Sequence, residues 1–346
     1  MAIKSNGVMI HRTVPSVQPN NWQSELSSAL SSVAELLAFT GMQRRDIPDL
    51  DTTDLDFPLR VPRGFARRIE YGNPDDPLLR QVLPTTREHL RSEFYSDDPL
   101  HESDAAALPG LVHKYSSRVL LILTGACAIN CRYCFRRHFP YQENRLDHSH
   151  LLAALDYVRS RPGINEIILS GGDPLLLRDD KLAELLDAIA DIPHIQRIRL
   201  HTRTPVVIPQ RITPELARLL GETRLKSIMV LHINHPNELD PALEAGLTDL
   251  RRANVTLLNQ SVLLKGVNDN VDTLCALSDK LFGFGIMPYY LHLLDKVHGA
   301  AHFDLERTAA QRLVGEVASR LPGYLVPRLA VEEPGKPAKT IIAPLL

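Results

Sequence analysis

From Arg118 onward, apolar runs alternate with amphipathic stretches. The runs at 118–124 (RVLLILT), 165–170 (NEIILS), 195–201 (IQRIRLH), 225–233 (LKSIMVLHI), 255–264 (VTLLNQSVLL) and 286–294 (IMPYYLHLL) predict strands. Between and after them, 148–160, 179–190, 213–221, 238–253, 270–284 and 305–320 carry helical periodicity. Six strand–helix repeats with no turn-only connection argue for a parallel sheet in an α/β fold. The near-continuous apolar character of most of these runs suits buried parallel strands. In a parallel barrel, chemistry collects at the C-terminal ends of the strands. Polar residues cluster there: Cys127 after the first run, Gly171-Gly172-Asp173 after the second, His201 and Arg203 at the third. His232 and Asn234 end the fourth, Gln260 lies in the fifth, and Asp295 follows the sixth.

The first 110 residues have a different texture. Residues 1–20 are polar and read as an extended lead-in. Trp22, Leu26, Leu30, Val33, Leu36 and Leu37 fall at helical spacing and predict one helix from Asn21 to Phe39. Residues 40–110 are rich in Pro, Asp and Arg, with short helical pieces at 63–71 and 86–93. The expected organisation is a mostly helical N-terminal region over 1–110, a βα core over 111–322, and a C-terminal segment over 323–346. That last segment holds an apolar stretch (YLVPRLAV) and a Pro/Gly/Lys loop.

Composition narrows the partners. The 346 residues are 44% hydrophobic and 23% charged, with a formal net charge of −2, so no electrostatic case exists for nucleic acid or an anionic membrane as the main partner. No apolar run approaches the ~20 residues of a membrane span, and Met1-Ala2-Ile3-Lys4-Ser5 lacks a signal peptide's apolar region. A cytoplasmic protein is expected. Four cysteines in a chain this long do not make a disulfide framework.

Three of those cysteines, Cys127, Cys131 and Cys134, stand as C-x3-C-x2-C on one short loop. Zinc would want a fourth protein ligand, and none stands at zinc spacing. Cysteine thiolates hold iron–sulfur clusters, and three of them leave one iron of a four-iron cluster open to a small molecule. Cys275, beside Leu274 and Leu277, reads as a small hydrophobe. His232 and His235 have the spacing of a metal pair, but Pro236 breaks the helix such a pair needs. The glycines of Ser170-Gly171-Gly172-Asp173-Pro174 permit close backbone approach to a ligand, or simply a tight βα turn.

The cysteine loop, with Tyr133 before its last cysteine and a strand leading in, resembles the signature of the radical S-adenosylmethionine (SAM) superfamily. The resemblance implies a partial (β/α)6 radical SAM barrel and a [4Fe-4S] cluster on Cys127, Cys131 and Cys134. It also implies SAM on the open iron, met by Ser170, Gly171, Gly172 and Asp173, and a 5′-deoxyadenosyl radical made by its cleavage. Further stretches narrow it: VHKYSSRVLL (112–121), CFRR (134–137), RTPVVIPQRI (203–212), HINHPNE (232–238) and NQSVLL (259–264) are similar to lysine 2,3-aminomutases. That family uses pyridoxal 5′-phosphate (PLP) as well as SAM, moving an amine through a PLP imine by radical chemistry. The resemblance implies Lys339, which stands in the family's Pro-Gly-x-x-x-Lys arrangement at Pro334-Gly335, as the PLP lysine, with Lys336 as competitor.

The resemblance further implies Lys114 and Arg118 for the PLP phosphate and Arg136 for the substrate carboxylate. It gives Asp295 and Glu332 to the distal amine, and His232 and Gln260 to SAM or PLP. At Glu332 the family has Asp, so an extra methylene stands there, with a possible effect on product stereochemistry. The chain ends soon after Lys339, and CRYCFRRHFPY (131–141) and PYYLH (288–292) are similar to the compact bacterial branch that supplies (R)-β-lysine for a ligase acting on elongation factor P. The expected function is conversion of (S)-α-lysine to (R)-β-lysine, with an electron donor such as flavodoxin or ferredoxin. A related aminomutase acting on arginine or glutamate, and a non-enzymatic metal-binding module, are the other readings.

Overall fold

The structure is a computed structural model describing residues 21–53, 57–144 and 146–345. The expected lead-in over 1–20 lies outside these residues. The N-terminal region contains α1 (Asn21–Ser27), α2 (Val33–Thr40), α3 (Arg63–Ala66) and α4 (Pro77–Arg80), joined by irregular chain and single 3-10 turns. The single helix expected over 21–39 is therefore two. Ser32 and Glu35 form a reciprocal capping box that starts α2 afresh. Just before it, Leu30 pairs with Val61 through two backbone bonds of 2.8 and 2.9 Å. The correct spacing of apolar residues hid a break made by polar capping.

Ten strands form one sheet in sequence order: β1 (Ala106–Leu108), β2 (Leu111–Tyr115), β3 (Arg118–Thr124), β4 (Glu166–Gly171), β5 (Arg197–Thr202), β6 (Lys226–His232), β7 (Thr256–Val262), β8 (Met287–His292), β9 (Arg328–Val331) and β10 (Thr340–Ile341). Strands β3 to β9 are parallel; β1–β2–β3 and β9–β10 are antiparallel hairpins at the two margins. Helices α5 (His148–Arg159), α6 (Asp179–Ala190), α8 (Pro214–Glu222), α9 (Leu243–Arg252), α10 (Val271–Gly283) and α11 (Arg307–Arg320) follow β3 to β8 in turn, with a short α7 (Thr204–Val207) after β5. Right-handed crossovers between strands taken in sequence put every helix on one face of the sheet. The six core strands match the expected runs within two residues at each end. The added strands β1, β2, β9 and β10 are short; Pro109-Gly110 turns β1 into β2 and Pro334-Gly335 lies between β9 and β10, whereas the β2–β3 turn is Ser116-Ser117 with no Gly, Asn or Asp.

The two faces of the sheet differ. Val119, Leu121, Ile167, Leu169, Ile198, Leu200, Met229, Leu231 and Leu257 pack on Leu155, Val158, Leu182, Leu216 and Leu247 of the helices. Side chains alternate along a strand, so the residues between them face the other way. β5 makes this plain, reading Arg197-Ile198-Arg199-Leu200-His201-Thr202 with every second side chain buried. The strands are thus less uniformly apolar than a fully covered parallel sheet. Their helix-free face mixes apolar side chains such as Ile122, Ile168 and Val230 with polar ones, among them Glu166 and Arg199, paired at 2.7 Å.

The N-terminal region closes on this frame through the cysteine loop. Ala128 and Ile129 join a core built from Trp22, Leu36, Val61, Phe65, Leu78 and Leu79. Backbone bonds run from Asn130 N to Arg60 O and from Arg132 N to Gln81 O, at 3.0 and 2.9 Å. Arg132, 1% exposed, donates through Nε to Glu88 at 2.8 Å and through Nη1 to Phe57 O at 2.8 Å. Arg137 reaches the same Glu88 carboxylate at 2.7 Å. Removing one partner from a buried ionic group costs about 3–5 kcal/mol, because the other charge stays buried. We expect Glu88→Gln to lose stability of that order in chemical denaturation. A loss below ~1 kcal/mol would mean that the group behaves like an exposed pair.

Candidate active site

The cysteine loop leaves β3 and is fastened to the turn after β4. Gly172 N donates to Thr124 O at 2.6 Å and Asp173 N to Ala126 O at 2.9 Å. A Cβ on Gly172 would lie 2.2 Å from Ala126 O, so only glycine permits this approach. Gly171 has φ +108°, also a glycine conformation. The Asp173 carboxylate accepts from Leu175 N, Thr202 Oγ1, Arg203 N and Thr204 N at 2.7–3.0 Å. Both its oxygens serve the protein, and it is the glycine backbone that remains near the cysteines.

Cys127 and Cys134 interact electrostatically with each other and with Cys131. Burial pushes the Cys127 thiol well up, and the Cys134 thiol up to about 11. Loading iron there must displace protons. Arg203 Nη1 stands 2.7 Å from Cys131 Sγ. Three clustered thiols with a cation facing one sulfur are a donor set that fits a [4Fe-4S] cluster better than a closed metal site. Cys275 belongs elsewhere, packed against the small core of Leu274, Ala310 and Val314.

On the helix-free face, charged residues from distant segments meet. Lys339 Nζ pairs with Glu332, and Lys114 Nζ reaches the other Glu332 oxygen at 3.3 Å and Leu100 O at 2.8 Å. Burial opposes ionisation of Glu332, yet the two lysines hold its carboxyl down at about 2. Asp295, past the end of β8, is pushed up to about 7 by burial, with Lys339 opposing and Glu332 and Glu102 adding. Lys336 is exposed in the loop at Gly335, whereas Lys339 is partly buried. Arg118 stacks on Tyr115 with 4.0 Å from its guanidinium carbon to the ring centre, on the same hairpin as Lys114. His201 Nε2 is buried and has no partner among the described residues. A buried imidazole nitrogen that the protein leaves unpaired, with the charges of Arg199, Lys339 and Arg136 acting on it, fits a phosphorylated carbonyl cofactor such as PLP.

Gln260 sits between His232 of β6 and Tyr290 of β8 in the sheet register. His232 Nε2 lies 2.9 Å from Tyr133 Oη, and burial pushes its imidazole down to about 3. It is a neutral, hydrogen-bonded group. His292 is likewise pushed down to about 3 by burial, with Lys339 adding. Arg136 is the surprise. Its Nε and Nη2 each donate to Glu102 at 2.7 Å, and its Nη1 donates to Ser170 Oγ at 3.1 Å and Gly171 O at 3.2 Å. These bonds take four of its five N–H groups. Glu102 was not found from the sequence, because it lies in a stretch with no periodicity and no motif. In the sequence His201 stands out only as a polar residue at a strand end, and His292 only as the last residue of the PYYLH stretch.

A family model described as the Radical SAM superfamily matches residues 121–275. The chain is 50% identical to the L-lysine 2,3-aminomutase of Haemophilus influenzae, over 94% of this chain and 96% of that protein. It is 48% identical to the L-lysine 2,3-aminomutase of Escherichia coli over 92% and 94%. It is 33% identical to that of Clostridium subterminale over 94% of this chain and 78% of that protein. With the cysteine loop at the C-terminal rim of an open parallel sheet and a lysine–acid cluster across from it, the chain belongs to the lysine 2,3-aminomutase family of radical SAM proteins.

Proposed function

We propose that the protein is an L-lysine 2,3-aminomutase, an isomerase that converts (S)-α-lysine to (R)-β-lysine. The observation that carries this reading is the pair of acids, Asp295 and Glu332, gathered with Lys339 on one polar face. When bound, the [4Fe-4S] cluster with SAM supplies a hydrogen-abstracting radical, and PLP supplies the carbonyl chemistry through which an amine migrates. Cys127, Cys131 and Cys134 would hold the cluster. The backbone of Gly171 and Gly172, with Ser170 beside them, would meet SAM, while Asp173 orders their turn. Lys339 would hold PLP, with Lys114 and Arg118 for its phosphate and His232 and Gln260 near SAM or PLP.

The substrate's distal ammonium would pair with Asp295, and its carboxylate would meet the remaining N–H of the Arg136 fork. Glu332, one methylene longer than the family's usual residue, spans Lys339 and Lys114 at once. We read it as a charge partner of those lysines as much as a substrate contact. Two acids in the pocket favour a cationic side chain, so lysine and arginine fit and glutamate does not. The higher identity to the Haemophilus and Escherichia relatives than to the Clostridium one supports the compact branch. On this reading the β-lysine is passed to a ligase that modifies elongation factor P, in the cytoplasm, with flavodoxin or ferredoxin supplying electrons. Among the described residues no helix is long and apolar enough to cross a membrane.

Anaerobic protein with reconstituted cluster, SAM, PLP, a reductant and lysine should yield β-lysine, resolved on a chiral column as the R enantiomer. Turnover of arginine alone would overturn the substrate, and the S enantiomer would overturn the stereochemical reading. Adding the ligase and elongation factor P should give the factor a β-lysyl mass increment; a factor left unmodified while β-lysine accumulates would remove that role.

Lys339→Ala should abolish the PLP–lysine absorption band while Lys336→Ala keeps it; the reverse pattern would move the role to Lys336.

The pH dependence follows from Asp295. Its carboxyl is neutral below about 7, and lysine's amine, with an ordinary pKa near ~10.4, stays charged. Binding therefore weakens as pH falls through about 7, and kcat/KM for lysine should drop on that limb. Asp295→Asn should lower kcat/KM and flatten the limb; an unchanged limb would assign it to another group.

A further inference from the structure

Arg203 is buried at the base of the cysteine loop and is held by four acceptors. Nη1 donates to Cys131 Sγ and Tyr133 Oη, both at 2.7 Å. Nη2 donates to Gln81 Oε1 at 2.6 Å and Glu238 Oε2 at 2.8 Å. Glu238, fully buried, is itself fixed by Asn234 N, His235 N and Gln81 Nε2 at 2.9–3.1 Å. Tyr133 Oη closes the network by accepting from Asn234 Nδ2 at 2.6 Å and contacting His232. Among the described residues, Cys131 is the cysteine of the loop to which a charged side chain donates such a bond. A guanidinium presents its N–H groups in a rigid fork, so four fixed acceptors leave it one orientation, aimed at that sulfur.

We infer that Arg203 is a positioning residue for the cluster's redox chemistry: its hydrogen bond to the Cys131 sulfur raises the reduction potential, and Glu238 both holds the fork and partly offsets its charge. This rests on the reading of Cys127, Cys131 and Cys134 as cluster ligands. The physical cause is electrostatic. Reduction adds a negative charge to the cluster, and hydrogen bonds to ligand sulfur and nearby cations stabilise the reduced form. The site is buried, so solvent screens the effect little. A merely structural arginine, tying α7 to the N-terminal core, would change stability and leave the potential alone.

The test is an EPR-monitored redox titration of the full-length, anaerobically reconstituted protein. Arg203→Gln removes the charge and should make the cluster about tenfold harder to reduce, a midpoint ~59 mV more negative for a one-electron couple. Glu238→Gln removes the offsetting charge and should shift the midpoint the other way. Arg203→Lys, with the charge but without the fork, should fall between wild type and Arg203→Gln. Midpoints equal to wild type in Arg203→Gln and Glu238→Gln, at full iron content, would overturn the inference. If Arg203→Gln binds no cluster, Glu238→Gln and Arg203→Lys decide it by the same signs. A wild-type protein that binds no cluster would overturn the functional reading itself, a result distinct from unshifted variants.

Discussion

Four hydrogen bonds converge on the Asp173 carboxylate, and the C-terminal rim of the sheet depends on them. Through them the turn after β4 is tied to the turn after β5, and through its own N–H the same residue holds the cysteine loop after β3. A carboxylate accepting several N–H and O–H donors is satisfied in the interior at little cost, whereas loss of it would strand those donors. The close contact of Gly172 with Ala126 follows from this fastening. So does the placement of Arg203, whose backbone N–H is one of the donors and whose side chain then points at Cys131. Three consecutive strand ends are thereby locked into one rigid rim, which is what positioned chemistry needs.

A second constraint is charge balance around the cysteine loop and the helix-free face. Arg136 with Glu102, Lys339 and Lys114 with Glu332, Arg203 with Glu238, and Arg132 and Arg137 with Glu88 are all mostly withdrawn from water. Such groups contribute little net stability and cost much when one member is removed. Their arrangement makes sense as preparation for charged ligands. Asp295 has no such close ion pair among the described residues, and burial raises its pKa. The same face in a fully covered parallel sheet would be apolar. Here polar side chains such as Arg199, His201, His232 and Gln260 stand among apolar ones on that face, because the helices cover the other side only.

Much of the core was legible in the sequence. Apolar run length and helical period are local properties, and they located β3 to β8 and their helices closely. The cysteine spacing and the Gly171-Gly172-Asp173 turn were equally local. The errors came where polar detail overrode periodicity, as at the Ser32–Glu35 capping box that splits the first helix. The margins are hard to read because β1, β2, β9 and β10 span only two to five residues each, too short to show an alternating period, even where Pro109-Gly110 marks a turn.

The sequence by itself determined the order of strands and helices, the three clustered cysteines, and the presence of a Pro/Gly loop with two lysines. It left open which lysine faces inward, and the tertiary structure separates them by exposure and by the Glu332 partner. It contained Glu102, Glu238 and Gln81 only as ordinary polar residues. Their meaning arises from partners 34, 35 and 122 positions away, Arg136 for the first and Arg203 for the other two. A pattern read along the chain reports which face of an element meets the core, because burial repeats with the element's own period. It carries no record of which distant polar groups meet, because a single hydrogen bond between two segments has no period, and only the packed chain decides it.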